Sequence, residues 1–181
     1  MKNKTAFSWV HPNLESGNTE KYGNGVFTKK DIKKDDFLAI FGGHIYTIKQ
    51  EKNLPEKIRD NGVQIHEDFI LGIMNNNEIE DAIYFNHSCN PNSGFKGQIF
   101  LIAMRDIKKD EQITFDYAMV LSSSKEATTY KMKCLCGSKN CRGIIDEEGW
   151  KNPILQKRYK GYFQWYLEEK IKKLNKKKPA L

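Results

Sequence analysis

The chain has 181 residues, of which 39% are hydrophobic and 12% aromatic, a composition that fits one folded domain with its own core and excludes a disordered polypeptide. Its net charge of +7 is unevenly distributed, because residues 150–181 carry ten Lys or Arg against two Glu, while residues 1–149 carry twenty against twenty-one acidic residues. The sequence lacks an apolar run of the ~18–20 residues that a membrane helix needs, and residues 1–5 lack the apolar core of a signal peptide.

These features predict a protein of a reducing compartment, cytoplasmic or nuclear, with no segment embedded in a membrane. They leave the final destination open, export as an effector included, and they set no oligomeric state. The basic C-terminal segment suits a solvated chain end, and it also allows contact with nucleic acid or another acidic partner.

Short strands are predicted in the first part of the chain. Residues 7–10 have the composition of a strand, and residues 14–22 that of a polar loop. A charged connector over 28–36 leads into a strand that we predict over 37–46.

A glycine pair lies between the predicted loop and the connector. Gly23 and Gly25 flank Asn24 and are followed by Val26 and Phe27, which are typical of a strand start. Glycine lets the backbone turn sharply and approach a ligand closely. A lone Gly-x-Gly is more often a hairpin turn.

The middle of the chain is less informative. Residues 48–60 have a helical composition that Pro55 interrupts, and residues 63–74 alternate apolar and polar side chains in part, as short strands do. Residues 75–78 mark a turn.

Polar residues then gather between apolar runs, in the sequence Tyr-Phe-Asn-His-Ser-Cys-Asn-Pro-Asn at 84–92, here called the polar segment. Strands are predicted beyond it, over 98–104 and 112–117. Burying Asn, His and Ser side chains costs free energy unless each finds a hydrogen-bond partner. The polar segment is therefore either a functional site or a turn cluster, which Asn and Pro also favour.

Three of the four cysteines, Cys134, Cys136 and Cys141, lie in a loop too short to bury a core of its own. The fourth, Cys89, belongs to the polar segment 45 residues upstream of Cys134. Without a signal peptide, such cysteines indicate a metal before disulfides. Four thiolates would form a closed, structural zinc site, and four reduced, unliganded cysteines are the alternative.

A helix is predicted near the C-terminus. Asn152 and Pro153 suit its cap and first turn. Apolar residues recur after them at near-helical spacing, at Leu155, Tyr159, Phe163, Tyr166 and Leu174. We expect one basic amphipathic helix that packs on the body of the protein or docks on a partner, with lysines 176–178 fraying beyond it.

Three motifs together resemble the SET-domain family of protein lysine methyltransferases. They are Asn-His-Ser-Cys-Asn-Pro-Asn at 86–92, Asp-Glu-Gln-Ile-Thr-Phe-Asp-Tyr at 110–117 and Cys-x-Cys-x-x-x-x-Cys at 134–141. The match is to a small stand-alone SET protein with a post-SET zinc motif, over roughly residues 22–143.

This resemblance implies the mostly-β SET fold, in which several small β-sheets surround a knot-like crossing of the C-terminal strand. A post-SET zinc loop and a C-terminal α-helix follow. The implied division is a SET domain over 1–121, a post-SET zinc-binding segment over 122–149, and the basic amphipathic helix over 150–181.

The resemblance also implies the site residues. Tyr117 is the implied catalytic residue, and S-adenosylmethionine and structural Zn²⁺ are the implied cofactors. The implied S-adenosylmethionine contacts are Gly23, Asn24, Gly25, Val26, Phe27, Asn86, His87, Tyr117 and Leu135. The implied substrate channel consists of Phe41, Tyr46, Tyr84, Phe95 and Phe115. The implied zinc ligands are Cys89, Cys134, Cys136 and Cys141.

The sequence departs from the family pattern at three positions. Phe41 stands where a tyrosine is common, His44 where a glutamate is common, and Ile83 where an arginine often precedes the polar segment. A hydroxyl expected near the target amine is therefore missing, unless Tyr46 replaces it.

The implied function is S-adenosylmethionine-dependent methyl transfer to a lysine side chain of a protein substrate, of which a histone or histone-like protein is one kind. Phe115, two residues before the catalytic tyrosine, implies room for di- or trimethylation, since phenylalanine leaves space that a tyrosine would fill with a bound water. The alternatives are a catalytically silent SET-like interaction module and a zinc-stabilised nucleic-acid-binding protein.

Overall fold

The computed structural model describes residues 6–21, 23–126 and 130–176. Within them the chain is mostly β, with thirteen short strands in four small sheets and few helices, so the predicted fold class is confirmed. The strands are β1 (Trp9–Val10), β2 (Leu14–Thr19), β3 (Gly23–Thr28), β4 (Phe37–Ile40), β5 (His44–Thr47), β6 (Val63–Gln64), β7 (Phe69–Gly72), β8 (Asn86–His87), β9 (Ser93–Lys96), β10 (Phe100–Ala103), β11 (Gln112–Phe115), β12 (Lys131–Lys133) and β13 (Ile144–Asp146). The α-helices are α1 (Ile48–Glu51), α2 (Pro153–Arg158) and α3 (Trp165–Lys176). The 3-10 helices are Asn76–Glu78, Asp81–Tyr84, Tyr117–Met119 and Gly149–Lys151.

Two four-stranded sheets make up the body of the molecule, with strand orders β1-β4-β10-β9 and β2-β3-β11-β8. The smaller sheets have the orders β5-β7-β6 and β12-β13. Strands β8 and β11 pair in parallel, whereas their neighbours in the same sheet pair in antiparallel fashion. One main buried cluster runs from Leu14 to Leu167, so elements from both ends of the chain share a core.

Strand β2 was not foreseen. The prediction of a polar loop at 14–22 is wrong for Leu14–Thr19, which pairs along its whole length with β3. Only Leu14 at its start is buried, and the other side chains of the strand are half-buried or exposed. The polar side chains of residues 14–19 therefore belong to a strand whose surface is solvated. The backbone is held in a strand because it pairs with β3.

The single strand predicted over 37–46 is two strands, β4 and β5, which belong to different sheets. Gly42 and Gly43 separate them. A Cβ atom on Gly42 would lie 2.2 Å from the Phe7 carbonyl oxygen, and one on Gly43 would lie 2.4 Å from the Gly72 carbonyl oxygen. The chain can pass from one sheet to the other at this point because neither glycine has a side chain that would clash with these carbonyl oxygens.

The helical composition of 48–60 yields only the four residues of α1. Thr47 caps this helix: its side chain accepts a hydrogen bond from the Gln50 N–H, and the Gln50 side chain accepts one from the Thr47 N–H. Beyond the helix the chain is irregular, yet Leu54 and Ile58 are buried in a second, smaller cluster. Burial of these two side chains, rather than helix continuation, holds this part of the chain in place.

The polar segment crosses the strand β11. The Ser88 N–H donates to the Phe115 carbonyl oxygen at 3.1 Å, and the Asn92 N–H donates to that of Thr114 at 3.2 Å. The Asn92 side-chain oxygen accepts from the Thr114 N–H at 2.9 Å. The crossing therefore satisfies backbone groups of both segments inside the protein.

The C-terminal prediction of one helix is wrong, because α2 and α3 are separate. Gly161 lies between them with a φ of +80°, in the left-handed region that favours glycine and ends a helix. The predicted cap is confirmed, since the Asn152 side chain accepts from the Ile154 N–H at 2.9 Å and Pro153 starts α2. Of the lysines predicted to fray, Lys176 ends α3, and residues 177–181 lie outside the described part of the chain.

Helix α3 contacts the body of the protein on several sides. Tyr166 and Leu167 are buried in the main cluster, and the Tyr166 hydroxyl donates to the Val120 carbonyl oxygen. Lys170 forms a salt bridge with Glu67. Among the described residues, the helices are too short or too polar to cross a membrane.

Candidate active site

Tyr117 begins a 3-10 helix, which Asp116 connects to the end of strand β11. Asp116 caps this helix, because its Oδ1 atom accepts from the Ala118 N–H at 3.0 Å. The Tyr117 ring centroid is 5.2 Å from those of Phe115 and His87. Burial raises the pKa of the Tyr117 hydroxyl, so the group stays neutral and can donate or accept a hydrogen bond.

His87 fixes the backbone of Tyr117. Its Nδ1 atom accepts from the Tyr117 N–H at 3.1 Å, and its Nε2 atom is 3.3 Å from the Cys89 sulfur. Burial lowers the pKa of His87 to about 4, although the neighbouring Asp116 acts in the opposite direction. The ring is therefore neutral near pH 7, and because Nδ1 is an acceptor, the proton lies on Nε2 and points at Cys89.

Asp116 is fully buried and is paired with Arg142 from the cysteine loop. The Arg142 guanidinium donates two hydrogen bonds to the carboxylate, Nη1 to Oδ2 at 2.6 Å and Nη2 to Oδ1 at 2.7 Å. This two-pronged geometry is the strongest form of an arginine–carboxylate pair. The pair joins the loop of Cys134, Cys136 and Cys141 to the residue next to Tyr117.

The glycine-containing residues 23–25, here called the glycine turn, form the start of strand β3 and lie against the polar segment. Asn86 donates from Nδ2 to the Asn24 carbonyl oxygen at 2.8 Å. Gly23 has a φ of +80°. A Cβ atom on Gly25 would lie 2.3 Å from Nε2 of Gln112, so only glycine fits there without a shift.

The other implied cofactor contacts differ in their exposure. Val26 is completely buried and Phe27 is half-buried. Leu135 is 51% exposed on the cysteine loop. A Cβ atom on Gly137 of the same loop would lie 3.7 Å from the Lys21 ammonium nitrogen, which places the loop beside the β2–β3 turn.

Three cysteines and one histidine lie close together at this loop. One potential ligand atom from each of His87, Cys89, Cys134 and Cys136 lies within 4.8 Å of the others. The exposed Cys141 is adjacent to this group, with its sulfur 3.9 Å from the Cys134 carbonyl oxygen. The described residues thus assemble a donor set of the kind that binds zinc.

A cavity of about 710 Å³ opens on the side of Tyr117 that faces the middle of the chain. Phe41, Phe115 and Tyr117 line it together with Tyr130. Its lining also includes three acidic residues, Glu51, Asp60 and Glu147, and three basic ones, Lys52, Arg59 and Lys131. The cavity therefore combines aromatic side chains with charged groups of both signs.

The predicted substrate channel maps onto this cavity only in part. Phe41 and Phe115 line the cavity, whereas Tyr46, Tyr84 and Phe95 are not among the lining residues. Phe95 is completely buried behind the wall, stacked on Phe41 with ring centroids 5.7 Å apart and 5.2 Å from Phe115. Phe95 thus supports the aromatic wall.

Sequence reasoning missed several residues of the site. Tyr130 faces the cavity and helps to raise the pKa of Tyr117, and its position just before Cys134 was an available signal. Arg142 directly follows Cys141, and the buried aspartate that it pairs with required a partner. Glu51 and Asp60 lie in a segment without a motif, and no local pattern indicates them.

The family model of the SET domain matches residues 23–118, more than half of the chain. The chain belongs to the SET-domain family. It is 31% identical over 139 residues to the histone-lysine N-methyltransferase ASHH2 of Arabidopsis thaliana, and 30% identical over 146 residues to the histone-lysine N-methyltransferase ash1 of Drosophila melanogaster. These alignments cover 69% and 75% of this chain but span only 8% and 6% of the relatives.

Solved structures share the fold. The methyltransferase domain of the human histone-lysine N-methyltransferase SETMAR superposes with a TM-score of 0.56 at 20% identity, covering 75% of this chain and 58% of that one. The structure of KRYPTONITE in complex with DNA, a histone H3 peptide and SAH superposes with a TM-score of 0.55 at 22% identity, covering 75% of this chain and 30% of that one.

Removal of the Arg142 side chain tests the buried pair. We expect Arg142→Met to lower the free energy of unfolding by about 3–5 kcal/mol, because it leaves the Asp116 carboxylate buried and unpaired. Lys151→Met is the matched control, since Lys151 and Glu148 form an exposed pair worth about 0–1 kcal/mol. Urea denaturation of both variants measures the difference, and equal losses would contradict the role given to Arg142.

Proposed function

We propose that the protein transfers methyl groups from S-adenosylmethionine to the lysine side chain of a protein substrate. The observation that carries the proposal is the position of Tyr117: its ring lines the cavity, and its backbone is held by His87. The neighbour of His87, Asn86, is bonded to the glycine turn. The implied substrate channel and the implied cofactor contacts thus meet in one hydrogen-bonded unit.

The residues around the glycine turn fit the cofactor. Gly23 and Asn24 are exposed, so their backbone is open to a ligand, whereas Gly25 is buried against the Gln112 side chain. Leu135 offers an apolar surface on the cysteine loop, which lies beside the same turn. When bound, S-adenosylmethionine supplies an electrophilic methyl group on a sulfonium ion.

The aromatic side chains of the cavity suit the other reactant. A free lysine has a pKa near 10.4, so the amine must lose a proton before it can attack. Apolar walls such as Phe41 and Phe115 disfavour the ammonium ion by desolvation. The neutral Tyr117 hydroxyl orients the amine by a hydrogen bond, and alignment of the two reactants accounts for much of the acceleration.

Phe115 bears on the number of methyl groups that the channel can take. Its ring packs on Phe95, which is completely buried, so this wall offers no hydroxyl to hold a water molecule. We infer that the space stays free for an amine that already carries a methyl group, which permits di- or trimethylation.

The names of the relatives bear on the substrate. Both relatives described above are called histone-lysine N-methyltransferases, and the KRYPTONITE structure contains a histone H3 peptide. We infer a histone or histone-like substrate for this chain, which would put its action where such proteins are found. The silent interaction module, the alternative within the same fold, is disfavoured by the presence of Asn86, His87 and Tyr117 together.

Label transfer from methyl-labelled S-adenosylmethionine to a panel of basic proteins tests the activity. We expect label on lysine with the native chain, and a loss of at least about 100-fold with Tyr117→Phe, because that variant lacks only the hydroxyl that orients the amine. Tyr162→Phe serves as the control, since Tyr162 is not among the cavity-lining residues. Mass spectrometry of the products counts the methyl groups.

Absence of label with the native chain and every substrate would overturn the proposal. Equal transfer by the Tyr117→Phe variant would remove the catalytic role from Tyr117. Products with a single methyl group only would contradict the inference from Phe115.

The cysteine cluster fits a structural zinc ion. Burial raises the pKa of the Cys89 thiol, so its thiolate needs a compensating positive charge. Backbone N–H groups already point at the sulfur atoms, that of Arg142 at Cys89 (3.3 Å) and that of Gly143 at Cys141 (3.4 Å), as in the surroundings of thiolate ligands.

We propose Cys89, Cys134, Cys136 and Cys141 as the ligands, in preference to a set that includes His87. The His87 Nε2 atom faces Cys89 but carries the ring proton, because Nδ1 is occupied by the Tyr117 N–H. A protonated nitrogen has no lone pair to offer a metal. Four thiolates around zinc would hold the loop of residues 134–141 against the polar segment.

X-ray absorption on the purified protein tests this ligand set. We expect bound zinc with sulfur ligands only, at about 2.3 Å, and a strong loss of zinc in Cys141→Ser. Lys139→Ala, at an exposed position of the same loop, is the control and should retain the metal. A nitrogen ligand at about 2.0–2.1 Å would instead assign His87, and full zinc content in Cys141→Ser would exclude Cys141.

A further inference from the structure

A groove between α2 and α3 carries an inference that does not depend on the proposed methyl transfer. We propose that this groove, here called the helix groove, binds an acidic amphipathic peptide segment of a partner protein. Apolar side chains of the partner lie on the floor of the groove, and its carboxylates lie against lysines on the rims. The helix groove is outside residues 23–118, which the family model matches, and it shares no lining residue with the cavity at Tyr117.

The floor of the helix groove is apolar. Phe163, which lies between the two helices, is buried in the main cluster, and the half-buried Ile171 of α3 packs against that cluster. Pro153, the first residue of α2, also lines the groove. The groove measures about 680 Å³, within the range of about 300–1,000 Å³ that is usual for ligand sites. It therefore has room for apolar side chains of a partner.

Lysines form both rims of the helix groove. Lys157 and Lys160 come from α2 and the residues that follow it, whereas Lys172 and Lys176 come from α3, and all four are exposed. Lys172 pairs with Glu169. Among the described residues, the ammonium groups of the other three lysines form no salt bridge or hydrogen bond. An arriving carboxylate therefore meets three ammonium groups that have no ion pair of their own.

Hydrogen bonds hold the helix groove in shape. Glu168, an acidic residue of the lining, accepts from the Gly161 N–H at 3.1 Å, so its carboxylate is engaged with the linker between the helices. Asn175 of α3 donates from Nδ2 to Oε1 of Gln156 in α2 at 3.4 Å. The groove is therefore formed before a partner arrives, which reduces the ordering cost of binding.

The charge distribution of the chain favours an acidic partner at this place. Residues 150–181 have a net charge of +8, from ten Lys or Arg and two Glu, whereas residues 1–149 have a net charge of −1, from twenty basic and twenty-one acidic residues. The positive potential is therefore concentrated on the segment that builds the helix groove. Complementary potentials steer association and discriminate between partners.

Other occupants suit the helix groove less well. The five residues after Lys176 include two lysines and no acidic residue, so charge disfavours the chain's own end. A second copy in an isologous contact would bring the same lysines against each other. Duplex DNA has phosphates for the lysines but no apolar side chain for the floor of Phe163 and Ile171. An acidic amphipathic helix matches both the floor and the rims, as in other complexes in which a helix lies in a groove.

Peptide binding tests the helix groove without any methyl transfer. The probe is a fluorescein-labelled synthetic peptide of about 16 residues, with leucines on one helical face and glutamates on both sides of that face. The comparison peptide has the same composition in an order that spreads the leucines around the helix. Fluorescence anisotropy measures both affinities for the full chain. We expect the amphipathic peptide to bind at least about tenfold more tightly, because burial of one leucine side chain on the floor suffices for that ratio.

Charge reversal on both rims locates the site. A double variant with Lys157→Glu and Lys176→Glu should lower the affinity for the amphipathic peptide at least about tenfold, because both rims then repel its glutamates. A double variant with Lys57→Glu and Lys139→Glu is the matched control. It makes the same change in net charge at two exposed lysines outside the groove, and it should keep most of the affinity.

Equal binding of the two peptides would indicate attraction by charge alone and would overturn the proposal. An affinity that the Lys157→Glu and Lys176→Glu variant retains would overturn it as well. A labelled DNA duplex of about 20 base pairs is the third probe. Tighter binding of the duplex than of the amphipathic peptide, lost in the same variant, would assign the helix groove to nucleic acid instead.

Discussion

The crossing of the polar segment with strand β11 is the constraint on which the site depends. Asn92 spans it with both ends of its side chain, accepting from the Thr114 N–H and donating to the Gln112 carbonyl oxygen. Ser93 adds a hydrogen bond from its hydroxyl to the Thr114 carbonyl oxygen. Buried polar groups are tolerated only when satisfied, so these side chains hold the two segments in one relative position. The polar segment is thus a cluster of hydrogen-bonded polar side chains, and we propose that it is a functional site as well.

A network of hydrogen bonds joins this crossing to Tyr117 and to the cysteines. His87 reaches the Tyr117 backbone on one side and the Cys89 sulfur on the other. Arg142 bonds the Asp116 carboxylate with its guanidinium and the Cys89 sulfur with its backbone N–H. The position of the tyrosine and that of the cysteine loop are therefore coupled, and α2 adds support because Arg158 donates to the Cys89 carbonyl oxygen at 3.0 Å. The loop that we propose to hold zinc therefore supports the proposed active site through these contacts.

The sequence predicted correctly those parts of the structure that nearby residues determine. The fold class followed from motifs whose spacing identifies a family, and the cap of α2 followed from Asn152 and Pro153. The errors occurred where a distant partner decides the outcome. Leu14–Thr19 is a strand because β3 lies beside it, and the predicted strand at 37–46 breaks because Phe7 and Gly72 approach two glycines.

The residues of the candidate site fall into the same two groups, those that a local motif indicates and those that it does not. Tyr117, Asn86 and His87 belong to motifs and could be named in advance. Glu51, the last residue of α1, and Asp60, in the irregular chain that follows, could not, because no local pattern indicates that the fold brings them to the cavity. The C-terminal periodicity was real, since Leu155, Tyr159 and Tyr166 are all buried. It did not reveal that Gly161 divides the helix, because spacing alone does not report a backbone angle.

The central claim is that the crossing builds a cofactor site and a substrate cavity on either side of one tyrosine. Calorimetric titration of SAH into the zinc-loaded protein tests it most directly. The account predicts binding at a single site per chain and a clear loss of affinity in Asn86→Ala, since Asn86 ties the polar segment to the glycine turn. A folded, zinc-loaded protein that binds no SAH would contradict it.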